Sequence, residues 1–114
     1  MKVHRFEEIL SWQKARTLNG EIYRHFAKNK DFSFRDQIQR ASVSIMNNIA
    51  EGFERGTKNE FRHFLCIAKG SCGEVRSMLY LAHDLGYIKE SDFRKLNDDC
   101  VDISKLIAGF IKTL

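Results

Sequence analysis

Proline is missing altogether and glycine occurs only seven times in 114 residues. With so few breakers, the chain favours a handful of long helices over a turn-rich all-β fold. Cysteine is sparse and odd in number, at Cys66, Cys72 and Cys100, all compatible with helical positions. That pattern argues for reduced thiols in a cytoplasm rather than a disulfide framework. No stretch approaches the roughly 18 consecutive apolar residues that a membrane span needs. The opening MKVHRFEEIL lacks the apolar core of a signal peptide. The chain is therefore expected in the cytoplasm, with no membrane partner.

The 13.3 kDa chain is the size of one domain with a single core. Its 43% hydrophobic and 30% charged residues are ordinary for a globular protein. The net charge is +4 and the pI about 9.1, a mild basic excess that is unevenly spread. Residues 1–40 hold nine Lys/Arg against five Asp/Glu, residues 41–83 five against four, and residues 84–114 five against six. A basic excess of this size permits nucleic-acid binding without requiring it.

Apolar spacing is helical throughout and predicts four helices, over about 6–28, 34–55, 58–85 and 89–112. The first carries Ile9, Trp12, Ala15, Ile22 and Phe26 on one stripe. The second carries Phe34, Ile38, Ala41, Ile45, Ile49 and Gly52, with Ser33 as expected N-cap. Gly56 ends it, and Thr57-x-x-Glu60 reads as a capping box for the third. That helix buries Phe61, Phe64, Leu65, Ala68, Cys72, Val75 and Leu79, and Gly86 suits its C′ position. The fourth buries Phe93, Leu96, Cys100, Ile103, Ile107, Phe110 and Ile111. Short connections between long helices make neighbours antiparallel, so the expected fold is an all-α, up-down-up-down four-helix bundle.

The two middle helices are apolar over more surface than one core requires. Val43, Met46, Ala50 and Phe53 on the second, and Ile67, Met78, Leu81 and Leu85 on the third, extend the stripes sideways. Neighbouring helices or a second subunit would cover them. The latter is preferred, with Val43, Met46, Phe53, Ile67, Met78 and Leu81 as interface candidates. A polar seam runs along the second helix through Gln37, Arg40, Ser44, Asn47 or Asn48, and Glu51. It faces Gly70, Ser71, Gly73 and Glu74 of the third. The small residues would let backbones approach, with Arg40 as donor to a buried carboxylate. A catalytic pocket around Glu51 and Glu74 is one reading. A satisfied structural network is preferred, because no Ser/His/Asp or Cys/His constellation accompanies them.

Metal and phosphate motifs are weak. A di-metal bundle site needs two Glu-x-x-His motifs. Only Glu60-Phe-Arg-His63 is present, in the first turn of the third helix with His63 away from the core stripe. His4, His25 and His83 are scattered. Gly70-Ser-Cys-Gly73 lies mid-helix without the strand that a phosphate loop follows. Cys66 and Cys72 are six apart and read as core fillers. No metal or other cofactor is expected. More telling is a row of cations on the third helix: Lys58, Arg62, Lys69 and Arg76, spaced four, seven and seven. They fall within about 40° on the helical wheel, and Tyr80 and His83 continue the line. Such a row suits phosphates along a nucleic-acid backbone. The alternative is a solvated face, or pairing with Asp98, Asp99 and Asp102 of the fourth helix. Lys14, Arg16 and Arg24 of the first helix are reserve contacts.

Several segments together resemble the four-helix-bundle, or 23S ribosomal RNA intervening-sequence, protein family. They are Trp12-x-Lys14-Ala15, Ile22-Tyr23, Gln37-Ile38-x-Arg40-Ala41, Ser44-Ile45, Asn48-Ile49-Ala50-Glu51-Gly52 and Ile67-Ala68-x-Gly70-Ser71-x-x-Glu74. The likeness covers nearly the whole chain. Two departures are Phe32-Ser33-Phe34 in place of an FP-x-x-E turn, and Met46 where many members have proline. The resemblance implies a bacterial, antiparallel bundle assembled as a homopentameric ring. Some members are encoded within intervening sequences of 23S ribosomal RNA genes. Others resemble the accessory variability protein of diversity-generating retroelements, which binds a reverse transcriptase and nucleic acid through a basic ring. The expectation is a non-enzymatic, oligomeric bundle that binds RNA or DNA through a basic surface. Its rivals are an assembly adaptor for a protein such as a reverse transcriptase, and an enzyme built on Glu51 and Glu74.

Overall fold

A computed structural model describes residues 3–114. A single 3-10 turn, Phe6–Glu8, precedes four helices: α1, Leu10–Phe26; α2, Phe32–Glu54; α3, Lys58–Asp84; and α4, Glu90–Lys112. Each packs against the next, and α4 returns to α1. The backbones of the diagonal pairs α1–α3 and α2–α4 stay apart, meeting only through the shared core. Connections of a few residues reverse the chain each time, giving the antiparallel up-down-up-down bundle expected from the pattern. It measures 43 × 22 × 19 Å.

One continuous core runs along the axis. It draws Ala15, Leu18, Ile22 and Phe26 from α1 and Phe34, Ile38, Ala41, Ile45 and Ile49 from α2. Facing them are Phe61, Leu65, Ala68, Cys72, Val75, Met78, Leu79 and Ala82 of α3, with Leu96, Cys100, Ile103 and Ile107 of α4. Phe93, Phe110 and Ile111, expected in the core, are half-buried at its edge, as is Trp12, and Phe64 is only half-buried. At Gly52 α2 and α3 pack tightly: a Cβ there would lie 2.6 Å from Phe64 Cβ.

The first helix starts later than the pattern predicts. Ile9 is extended (φ −76°, ψ 122°), separating the 3-10 turn from α1. The expected place of Ile9 on the stripe of one unbroken helix is corrected: six residues before Ala15, it would there point about 120° away from the core. The break turns it inward, to 2% exposure. Gln13 secures the corner by donating its side-chain amide to the Glu7 carbonyl oxygen at 2.8 Å. The second helix starts earlier than predicted, at Phe32, and its N-cap is Asp31 rather than Ser33: the Phe34 N–H donates to Asp31 Oδ1 at 3.2 Å. At α3 the Thr57 cap forms as expected, accepting from the Glu60 N–H at 3.2 Å. Gly56 and Gly86 take the left-handed backbone (φ +85° and +74°) that ends α2 and α3. Behind Gly86, the Tyr87 N–H reaches Ala82 O at 2.8 Å and the Gly86 N–H reaches His83 O at 3.1 Å, a Schellman closure.

Candidate nucleic-acid interface

The row on α3 follows from register. Once Phe61, Leu65, Ala68, Cys72 and Leu79 face the core, Lys58, Arg62, Lys69 and Arg76 fall on the flank beside α4. Lys69 and Arg76 both bear electrostatically on Cys72, whose thiol donates to the Cys100 carbonyl oxygen at 3.2 Å. Arg76 Nε donates to Asn97 Oδ1 of α4 at 3.3 Å, and Arg62 Nη1 to Asn59 Oδ1 at 3.1 Å. Among the described residues none of the four forms an ion pair. The pairing with Asp98, Asp99 and Asp102 that the sequence left open is not made. Burying Leu96, Cys100, Ile103 and Ile107 turns Asn97 toward α3 and Asp99 toward α1, where Lys95 bridges Asp99 (2.8 Å) and Glu21 (3.0 Å). Asn59 and Asn97, which hold the two arginines without neutralising them, escaped the sequence reading. The core stripe of α4 carries the signal for Asn97.

The reserve cations do not join this row. Lys14 lies in the α1–α4 groove beside Lys95, Asp99 and Asp102. The Arg16 guanidinium sits 5.7 Å from the centre of the Trp12 ring, and Arg24 runs along Gly20 on the outer face of α1. Because α1 and α3 are diagonal, these residues and the α3 row occupy different sides of the bundle.

The polar seam is smaller than predicted. Ser44 and Ser71 hydroxyls meet at 2.8 Å across α2 and α3, and Asn48 Nδ2 donates to Ser44 O (2.8 Å) and Ser44 Oγ (2.9 Å). Gln37, Arg40, Glu51 and Glu74 are all exposed. Glu51 accepts from Arg55 Nη2 at 2.9 Å, one turn along its own helix, so Arg40 is not the donor to a buried carboxylate. Gly70 and Gly73 have open space where a Cβ would stand, so the close approach they were expected to permit is made at Gly52. Tyr23, Asp36, Gln39, Arg40, Val43, Ser44, Asn47 and Asn48 line a shallow depression of about 540 Å³.

Of the interface candidates, Ile67 (39% exposed) and Leu81 (46%) stand clear of the core, as does Leu85. Val43 is half-buried. Met46 and Phe53 pack against the core from its edge. Met78 is a correction: at 7% exposure it belongs to the core and has almost no surface to offer a second subunit. Cys66 is a second correction, exposed rather than a core filler, whereas Cys72 and Cys100 are buried. The Cys72 thiol, together with burial, pushes Cys100 far above a thiol's ordinary range. His63 is exposed, Glu60 leans toward Arg55 at 3.5 Å, and no group of three potential metal ligands gathers among the described residues. Among the described residues no helix is long and apolar enough to cross a membrane.

Residues 7–109 match the family described as 23S rRNA-intervening sequence protein. The chain belongs to that family. Among solved structures, it is similar to a Bacteroides thetaiotaomicron VPI-5482 protein described as of unknown function, from the S23 ribosomal protein family. That crystal structure, at 1.70 Å resolution, has a TM-score of 0.84 and 27% identity, covering 90% of this chain and 99% of the other. A search of curated proteins gives no match. In this family member the segments that carried the resemblance divide into two groups. Ile38, Ala41, Ile45, Ile49, Gly52 and Ala68 are buried, whereas Arg40, Glu51, Gly70 and Glu74 lie on the outer α2–α3 face.

Proposed function

We propose that the protein is a non-enzymatic, cytoplasmic, bacterial bundle that assembles with copies of itself and binds RNA or DNA through the α3 row. The observation that carries this reading is the absence of any ion pair at Lys58, Arg62, Lys69 and Arg76 among the described residues. The four cations span about 27 Å of helix. Cations without carboxylate partners keep their full attraction for phosphate, and binding there would release counterions. The family's name sets its members in the context of 23S rRNA, which favours RNA. Three free thiols, two of them buried, suit a reducing compartment.

Filter binding over a salt series tests this. The affinity of the wild type is expected to fall steeply with salt, with a slope of roughly 0.7–0.9 per phosphate neutralised and little dependence on sequence. Changing all four residues to Glu is expected to abolish binding while helicity is retained, since none of them is in the core. Salt-independent binding, or binding that survives the change, would reject the reading. Exposed Leu81 and Leu85 favour a second reading, an adaptor that grips a protein such as a reverse transcriptase. In that case partner binding survives charge reversal on α3 and is lost on changing the apolar residues.

A further inference from the structure

We infer that Tyr80 is a base-stacking platform at the end of the cationic row, and that the preferred ligand is single-stranded nucleic acid. This deepens the proposed function and rests on it. Tyr80 stands one helical turn beyond Arg76, on the same line of α3. Half of its surface is exposed (50%), and among the described residues its hydroxyl makes no hydrogen bond. The ring is nonetheless firmly backed. Phe93 of α4 meets it edge-on with centroids 5.0 Å apart, and His83 lies tilted against Phe93 at 4.9 Å. Phe93 in turn packs against the core. A rigid, buttressed aromatic face open to solvent is what an unstacked base needs, at little cost in side-chain ordering.

Two carboxylates lie near Tyr80: exposed Asp84, one turn beyond it and on the side away from the row, and Glu90. Glu90, the carboxylate that reaches His83 (2.6 Å), is also held by Arg94 (2.6 Å), so it is neutralised rather than free to repel phosphate. Arg76, held by Asn97 through Nε, has both terminal nitrogens without a hydrogen bond among the described residues, one turn before Tyr80. Tyr80 also lies on the α4 side of α3, about 100° around from Leu81, so self-association through the α2–α3 face leaves it open. In a duplex the bases stack on one another and offer no free face along its length, whereas a single strand can lay a base on Tyr80 while its phosphates follow the row.

The test compares a fluorescently labelled 20-nucleotide oligouridine with a blunt 20-base-pair duplex by anisotropy over a salt series. The wild type is expected to bind the single strand about 10-fold tighter or more. Tyr80→Ala is expected to weaken single-strand binding between about 5-fold and 100-fold with an unchanged salt slope, and to leave duplex binding alone. Tyr80→Phe and Tyr80→Trp should retain affinity. Arg76→Gln should flatten the salt slope by about one phosphate for both ligands. Single-strand affinity unmoved by Tyr80→Ala, or lost equally with the duplex, overturns the platform while leaving the nucleic-acid reading standing. Binding of neither ligand overturns both.

Discussion

Asp31 shows how much one side chain can carry. It caps α2 through Oδ1 and accepts the Tyr87 hydroxyl through Oδ2 at 2.8 Å, tying the α3–α4 connection to the start of α2. Asn29 Oδ1 accepts from the Asp31 backbone N–H at 2.8 Å. Asp31→Ala removes both the cap, worth about 1 kcal/mol, and the Tyr87 bond, so it is expected to lower the urea midpoint more than Tyr87→Phe does. The hydrogen bond to Asp31 holds the Tyr87 hydroxyl above its ordinary pKa. The bond's contribution is therefore present below about pH 10 and lost as pH rises through the raised value. The stability gap between wild type and Tyr87→Phe should accordingly close in strong alkali, and a gap unchanged there would refute the assignment. The sequence offered Ser33 as cap because serine precedes an apolar run. Only the turn geometry from Asn29 to Asp31 moves the cap two residues earlier.

Between helices, the decisive contact is the close approach of α2 and α3 at Gly52. A methyl group placed there meets Phe64 Cβ at 2.6 Å and Phe61 Cδ1 at 3.1 Å, and Phe64 Cβ, fixed to its backbone, cannot swing away. Gly52→Ala is expected to destabilise by roughly 1–3 kcal/mol, more than its gain in helix propensity, as a lowered urea midpoint. The equivalent change at Gly70 or Gly73 meets nothing within 4 Å and should be mildly stabilising in the isolated chain. If Gly70→Ala instead disrupts assembly, the space above it is filled by another subunit. Helix identity was legible from period alone, because each core stripe repeats over several turns. The start of α1 was not: the pull of Ile9 toward the core outweighs the continuity of the local pattern.

For the whole molecule, the question is which surfaces are left over once four helices have covered one another. Ile67, Leu81 and Leu85 stay exposed on the outer α2–α3 face, whereas Met78 is taken into the core. Wild-type protein is expected to sediment as an oligomer, a five-membered ring if the resemblance holds. A double change, Ile67→Glu with Leu81→Glu, should yield folded monomers, since neither side chain supports the core. Oligomers persisting in that variant, or monomers of the wild type at micromolar concentration, would sink the interface. In a ring the α3 rows repeat around the assembly, so monomeric variants should also bind nucleic acid less tightly by loss of avidity.

The helical period, the absence of proline and the spacing of Lys58, Arg62, Lys69 and Arg76 are properties of the chain itself. They determined the four helices, their antiparallel order and the one-sided line of positive charge, because rise and twist per residue are constant along a helix. Which groups meet across helices was decided by packing. The register of α4 against α3 sets Asn97 rather than an aspartate beside Arg76, and that of α2 leaves Glu51 and Glu74 in solvent. A rotation of a few tens of degrees or a slip of one turn changes every such partner while leaving each helix's own pattern untouched. The side chains filling the shared core select among those arrangements, and they do so only when all four helices are in place.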